Sequence, residues 1–279
     1  MSPALVLVVG VLLVPVGINV YLSFMNWRKF TGINEFAGLA NYASVFRSPT
    51  FAPALVNTTV FVFVSIAFQF AIGLALAVFF HRKFPLSVFL RALFLIPWLL
   101  PLLVSASSWS WMLNSDSGVV NALLHAFGIA PVDWLTSPDW SLASVLIANI
   151  WIGIPFNLVI MYSGLQSIPT DVFEAAAIDG ASGWQRFWRI TFPLLRPVSA
   201  ITLLLGFIYT LKVFDIIWIM TRGGPATSST TLAIWAYQFG FGSLLPDFSS
   251  AAAVGNVLIV IAVIFALVYI RVRSRLEES

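Results

Sequence analysis

Residues 57–80 read NTTVFVFVSIAFQFAIGLALAVFF and contain no Asp, Glu, Lys or Arg. A helix rises about 1.5 Å per residue, so roughly 20 apolar residues cross the ~30 Å hydrocarbon core of a bilayer. The run is long enough. It is also continuous, whereas a membrane β-strand alternates apolar and polar positions over about 10 residues. It therefore predicts a transmembrane α-helix. Five further stretches share its character: 4–24, 90–113, 142–164, 198–220 and 249–270. Together they predict an all-α integral membrane protein, one transmembrane domain over residues 1–279 with six helices set in the lipid bilayer.

Composition agrees. The 279 residues are 60% hydrophobic and 9% charged, with mean hydropathy +0.97. A soluble domain carries about 25% charged residues, so a soluble enzyme is excluded, as is a disordered chain. The formal charge of +3 comes with no basic stripe, which argues against a nucleic-acid partner. With no cysteine, disulfides, thiolate nucleophiles and Cys metal sites are excluded. His81 and His125 alone cannot build a metal cluster. No catalytic residue, metal site or cofactor site is therefore expected in this chain. The first stretch lacks a basic leader and a small-residue cleavage site, and reads as a retained helix. It starts almost at the membrane edge, so the expectation is that a cytoplasmic N-terminal tail is missing, either in nature or through truncation.

Orientation follows from Lys and Arg in the loops. With the N-terminus inside, the cytoplasmic side carries Arg82, Lys83, Arg91, Arg186, Arg189, Arg196, Arg271, Arg273 and Arg275. The other side carries Arg28, Lys29, Arg47 and Arg222. Both termini are thus expected in the cytoplasm. The long outer segments, 27–56, 114–141 and 221–248, are rich in turn formers and aromatics and predict short surface or re-entrant helices. Trp27, Trp134, Trp140 and Trp235 suit interface anchors.

One cytoplasmic loop differs from the rest. Residues 165–197 read LQSIPTDVFEAAAIDGASGWQRFWRITFPLLRP. Thr170 or Asp171 suits a helix cap, and Glu174 the first turn, where a carboxylate complements the helix dipole. Val172, Phe173, Ala176 and Ala177 supply an apolar face. Gly180 ends the helix, a second helix follows over 184–190, and Pro193 and Pro197 bracket the start of the fifth span. A short helix with small residues and a few anchors suits a groove on a soluble partner. It equally suits a rest on lipid headgroups.

Glu174-Ala175-Ala176, then Gly180 three residues on, then Ile190 and Pro193, resemble the EAA motif of ABC importer permeases. Phe192 stands where that motif has Leu. Gly38-Leu39-Ala40-Asn41-Tyr42, Asn57-Thr58, Phe214-Asp215, Thr221 and Gly223-Gly224-Pro225 are similar to segments of the maltose/glycerol-3-phosphate-type (sugar) permeases, in the first of their two paralogous subunits. The resemblance implies a type I importer permease fold, in which a paralogous permease subunit completes the pathway. It implies two cytoplasmic ABC ATPases that hold ATP and Mg, and an extracytoplasmic solute-binding protein that delivers a carbohydrate-like solute. It places the coupling helix at about residues 170–184, with Glu174, Ala175, Ala176, Asp179 and Gly180 meeting the ATPase. The expected location is a bacterial or archaeal cytoplasmic membrane. The chain has no Gly-x-x-x-x-Gly-Lys-Ser/Thr loop, so it is not expected to be an enzyme.

Polar residues inside spans are costly and mark pathways. The candidates for the substrate path are Asn57, Gln69, Trp151, Asn157, Tyr209, Lys212 and Asp215, with Thr58, Asn149 and Asn256 also intramembrane. Lys212 and Asp215, three apart, are placed to pair on one helix face. Trp109, Trp111 and Phe156 read as packing. Pro97, Pro101 and Pro155 predict kinks that free carbonyls toward a cavity. The function expected is import of a carbohydrate or related polyol-phosphate solute. The alternatives are an importer of glycerophosphodiesters and an ion-coupled secondary transporter. The latter calls for inverted repeats and interior carboxylates, and only Asp215 lies within a span.

Overall fold

The computed structural model describes residues 2–27, 34–82 and 84–277. Helix α1 (Ser2–Ser23) leads into an antiparallel pair, β1 (Met25–Trp27) and β2 (Asn34–Phe36), and a surface helix α2 (Ala40–Arg47). The helix α3 (Phe51–His81) follows, then α4 (Ser87–Leu99), α5 (Leu102–Met112), α6 (Val119–Ala126) and α7 (Ser141–Gln166). The loop beyond α7 holds α8 (Thr170–Ile178), α9 (Gly183–Arg186), a π-helical turn (Phe187–Thr191) and α10 (Phe192–Leu194). The chain ends with α11 (Arg196–Leu211), α12 (Asp215–Met220), α13 (Leu232–Phe241) and α14 (Phe248–Glu277). The short helices α2, α6 and α13 fall in the three outer segments, as the composition of those segments predicts. Of the residues counted for orientation, Arg28, Lys29 and Lys83 lie outside the described residues, as do the side chains of Arg273 and Arg275.

Six uninterrupted spans are not what forms. Among the described residues, α3, α7 and Phe248–Arg271 of α14 are each long and apolar enough to cross a membrane. The expected span 90–113 is two helices, α4 and α5, bent by 95°. Pro101 is the cause: it has no amide hydrogen and holds Leu100 extended (φ −72, ψ 141). The span 198–220 stops as a helix at Leu211 and resumes as α12 at Asp215. A further bend of 67° separates Gly183–Leu194 from α11. Helix α1 runs over 22 residues, Ser2–Ser23, with Pro15 inside it.

Helices in lipid gain no hydrophobic drive from one another, so small residues and interhelical hydrogen bonds carry their packing. Gly73 on α3 lies against Asn157 and the backbone of α7, and Gly153 on α7 lies against the Gln69 side chain. Two cores stack along this pair. In one, Phe61, Ala106, Val145, Ala148, Ile216 and Ile217 bring α3, α5, α7 and α12 together. In the other, Leu74, Phe80, Leu158, Met161, Leu165 and Leu195 join the far ends of α3 and α7 to the foot of α11. There Gly164 packs so closely that an added Cβ would stand 3.0 Å from Leu195 Cδ2 and 3.1 Å from Val198 Cγ1.

A polar clasp ties α1 to α14. Asn19 Nδ2 donates to Asn256 Oδ1 at 2.7 Å, and Asn256 Nδ2 donates to the Tyr42 hydroxyl at 2.9 Å. Tyr42 shares a hydrogen bond with Ser23 Oγ at 2.8 Å, and Asn41 Nδ2 donates to the carbonyls of Ser23 and Met25. Intramembrane hydrogen bonds average about 0.6 kcal/mol and reach about 1.7. Asn256→Leu removes two of them. It is expected to lower the stability of the purified protein by ~1–2 kcal/mol, read as an earlier unfolding midpoint in a thermal scan. An unmoved midpoint would show that the clasp holds nothing.

One aromatic expectation is corrected. Trp235, read as an interface anchor, is 5% exposed and packs with Val45, Ala54 and Val254, because α13 folds back onto α14. Trp140 remains 44% exposed. Trp134 is partly buried and donates its indole N–H to Asn121 Oδ1 at 2.9 Å. Trp27 packs on Phe248.

Candidate functional site

The two helix breaks converge on one cleft of ≈ 410 Å³. Gln69 of α3, Trp98 of α4, Asn149, Gly153 and Phe156 of α7, and Tyr209 and Thr210 of α11 line it. Leu102, just past the Pro101 break, and Val213, in the break between α11 and α12, complete the wall. Interrupted helices are tolerated at membrane depth where they face a cavity, so the location of these breaks is itself informative. The rings form a row: Trp98 and Phe156 centroids are 6.3 Å apart, and Phe156 and Tyr209 are 5.9 Å apart, both edge to face.

The amides are fixed from behind. Gln69, 5% exposed, donates Nε2 to the Asn149 carbonyl at 2.9 Å. Asn149 Nδ2 in turn donates to Ser65 Oγ at 2.9 Å. Among the described residues, no charged side chain lines the cleft. Lys212 stands just beyond it with Nζ 5.1 Å from the centre of the Tyr209 ring, a cation–π distance.

Of the seven substrate-path candidates, the structure brings Gln69 and Tyr209 together in this cleft. Asn57 is elsewhere: Nδ2 donates to the carbonyls of Thr227 and Thr230, so it ties α3 to the loop before α13. Asn157 Nδ2 donates to the Gly153 carbonyl within α7, and its Cβ lies against Gly73. Trp151 packs on Trp109, 5.9 Å between centroids. Lys212 and Asp215 make no ion pair with each other among the described residues. The helix ends between them, so the three-residue spacing no longer puts them on one face. Phe156, read as packing, is a wall of the cleft. Trp98 was missed, although Pro97 and Pro101 flank it. The α7 wall was legible too, since 149, 153 and 156 follow the i, i+4, i+7 rule of one helix face.

The loop helix α8 has two faces. Asp171, Glu174, Ala175 and Ile178 share one side of a 3.6-residue helix and are all exposed, Ile178 by 87%. Phe173 and Ala176 lie on the other side, and Ala176 is 7% exposed. Ala176 therefore packs against its own chain and is not available to a partner, a correction to the expected contact set. Asp179 and Gly180 are exposed at the end of the helix.

Neither Thr170 nor Asp171 caps α8. The helix starts one residue earlier than a cap there would allow, after Pro169, and Asp171 takes the first-turn position assigned to Glu174. At the other end Gly180 has φ +73. The amide of Ala181 reaches the Ala176 carbonyl at 3.0 Å, and that of Gly180 reaches Ala177 at 3.1 Å. This is a Schellman turn. Ser182 and Gln185 then form a capping box for α9, each side chain accepting from the other's amide. The Ser-x-x-Gln spacing was readable in the sequence and went unread.

The family profile described as binding-protein-dependent transport system inner membrane component matches residues 69–277. The chain is 35% identical to the trehalose/maltose transport system permease protein MalF of Thermococcus litoralis, over 97% of this chain and 90% of that protein. It is 34% identical to the sulfoquinovosyl glycerol transport system permease protein SmoG of Agrobacterium fabrum, over 98% and 88%. In structure it resembles a chain of a bacterial ABC transporter involved in the import of the acidic polysaccharide alginate. The TM-score is 0.85 at 25% identity, covering 98% of this chain and 93% of that one.

Proposed function

The chain belongs to the family of binding-protein-dependent transport system inner membrane components, and on that premise we propose that its cleft is one half of the pathway for a neutral carbohydrate. The observation that carries this is the row Trp98–Phe156–Tyr209 lining one cleft with Gln69 and Asn149. Rings stack on the apolar faces of a sugar, and amides read its hydroxyls. A glycerophosphodiester or other anion calls for cations in the path, and the described lining residues include none.

A paralogous permease supplies the other half, and an extracytoplasmic solute-binding protein delivers the solute. Two cytoplasmic ATPases, holding ATP and Mg, dock on the outward face of α8 through Glu174 and Ala175, with Asp179 and Gly180 at its end. The membrane helices, whole and broken, form a single domain with both termini in the cytoplasm. ATP hydrolysis belongs to the partners, and this chain moves the solute by alternating access of its helices.

The test uses the co-expressed transporter in vesicles. Losing one stacking ring removes roughly 1.5–3 kcal/mol of contact, so Tyr209→Ala is expected to raise the KM for uptake about 10-fold or more. Basal ATPase should stay unchanged. An unmoved KM would put the pathway elsewhere. Lys212→Ala and Asp215→Ala with normal uptake and normal membrane level would leave those two outside it. Failure of the chain to co-purify with an ATPase, or uptake without ATP, would favour the ion-coupled carrier instead.

A further inference from the structure

A second cleft of ≈ 230 Å³ lies where the end of α3 meets the loop beyond α7. His81, Arg82, Arg186, Gly183, Phe173 and Thr191 are among its walls, and among the described residues no Asp or Glu is. The guanidinium groups of Arg82 and Arg186 make no ion pair or hydrogen bond with another described residue. Thr191 is 6% exposed, and its hydroxyl likewise has no hydrogen-bond partner among the described residues. Two unpaired guanidinium groups, an imidazole and the accessible hydroxyl of Thr191 thus share one recess. That donor set fits the tetrahedral oxygens of a phosphate, which arginine grips with two parallel bonds.

The position of the recess selects the source of the phosphate. Its wall from α8 is Phe173, opposite the exposed face of Asp171, Glu174 and Ile178 that a soluble partner reaches. It sits at the last turn of an apolar helix, where the chain leaves the hydrocarbon. Around that end of α3, Phe79, Val88 and Phe89 are 50%, 69% and 59% exposed, an open apolar surface suited to acyl chains. Basic recesses between spans on the cytoplasmic side suit acidic lipid headgroups. We propose that this cleft holds the phosphate of an anionic phospholipid, gripped by Arg82 and Arg186, with the hydroxyl of Thr191 as a further donor. A lipid seated there touches α3 and the loop helix together, so it braces the coupling element from the membrane side.

The experiment uses the assembled transporter, purified in mild detergent with phosphatidylglycerol, and counts retained lipid by native mass spectrometry. Charged hydrogen bonds are the strong ones, so Arg82→Gln combined with Arg186→Gln is expected to cut retained phosphatidylglycerol about 10-fold or more. Arg189→Gln, exposed and outside the cleft, should retain it as the parent does. If the double variant does not accumulate, Thr191→Val, close in shape, should still weaken retention. Equal retention in all variants overturns the proposal. So does retention that is unchanged while millimolar inorganic phosphate binds in an Arg82- and Arg186-dependent way, because the occupant is then free phosphate. Loss of the ATPase from the double variant with lipid retention intact overturns it as well, since the two arginines then serve a protein carboxylate.

Discussion

Glu174→Arg is expected to reduce ATP-driven uptake by about 30-fold or more, with the protein still present in the membrane at the parent's level. Glu174 is exposed on the outward face of α8 and takes no hydrogen bond from another described residue, so reversing its charge costs the fold little. Its effect is felt at the partner. A like-charge contact across an interface costs several kcal/mol, and each 1.4 kcal/mol is tenfold. Ala176→Arg acts differently, because Ala176 is turned inward, and should lower membrane level instead. At Gly180 the backbone decides. With φ +73, a β-branched residue pays roughly 1–2 kcal/mol for the left-handed conformation and loosens the Schellman turn. Gly180→Val should therefore uncouple ATPase from uptake, while Gly180→Asn, which tolerates that conformation, should keep most of the coupling. The readouts are uptake, ATPase activity and co-purification of the ATPase. Full coupling in both Glu174→Arg and Gly180→Val would remove α8 from the docking role.

The second large effect is at Gly73. An added Cβ there would collide with the Cβ of Asn157 and stand 3.0 and 3.1 Å from backbone atoms of Leu158 and Asn157. A backbone cannot swing aside as a side-chain tip can, so α3 and α7 must separate. Overpacking of this kind costs about 1–3 kcal/mol, and 1–2 kcal/mol already changes abundance several-fold. Gly73→Val is expected to lower the membrane level of the transporter about 3-fold or more. Gly153→Ala offers the contrast. Its Cβ would meet the end of the Gln69 side chain, with Oε1 at 2.6 Å, and that end can rotate. This variant should accumulate normally but lose the bond from Gln69 to the Asn149 carbonyl, altering the KM for uptake. Quantitative blotting and uptake kinetics separate the two. Equal membrane levels for Gly73→Val and the parent would mean that α3 and α7 do not need to touch there.

These contrasts show what the amino-acid string discloses and what it hides. Helices α3, α7 and α14 are legible because an unbroken apolar run has one solution in lipid. The break at Pro101 is legible in position but not in its 95° extent, which depends on where α5 finds its partners. The break after Leu211 carries no Pro or Gly. It comes from tertiary packing, with Phe214 4.5 Å from the Tyr237 ring and 5.7 Å from that of Trp218. That is why the Lys212–Asp215 pair was expected and does not form. Intramembrane amides misled for a related reason. Asn57, Asn157 and Asn256 are as polar as Gln69, but Asn57 and Asn256 fasten helices and loops together and Asn157 bonds back to its own helix, and polarity alone does not distinguish such roles from a pathway wall. The loop motif was legible because its chemistry is local, a helix and a Gly turn within a dozen residues.

Gly164 and Leu195 stand on either side of the loop that carries α8, one at the foot of α7 and one at the foot of α11, and they are in close contact. The loop therefore leaves and re-joins the bundle at a single pinned point, like a handle whose two roots are welded. A pull on its tip cannot spread the roots, because close-packed interiors yield little and pass strain on. It turns both stems as one body. Asn149, Gly153 and Phe156 ride on one stem, and Gly206, Tyr209 and Thr210 on the other. Two walls of the cleft are thus tied at one root, and a movement of the loop is expected to reach the cleft as rotation rather than as widening.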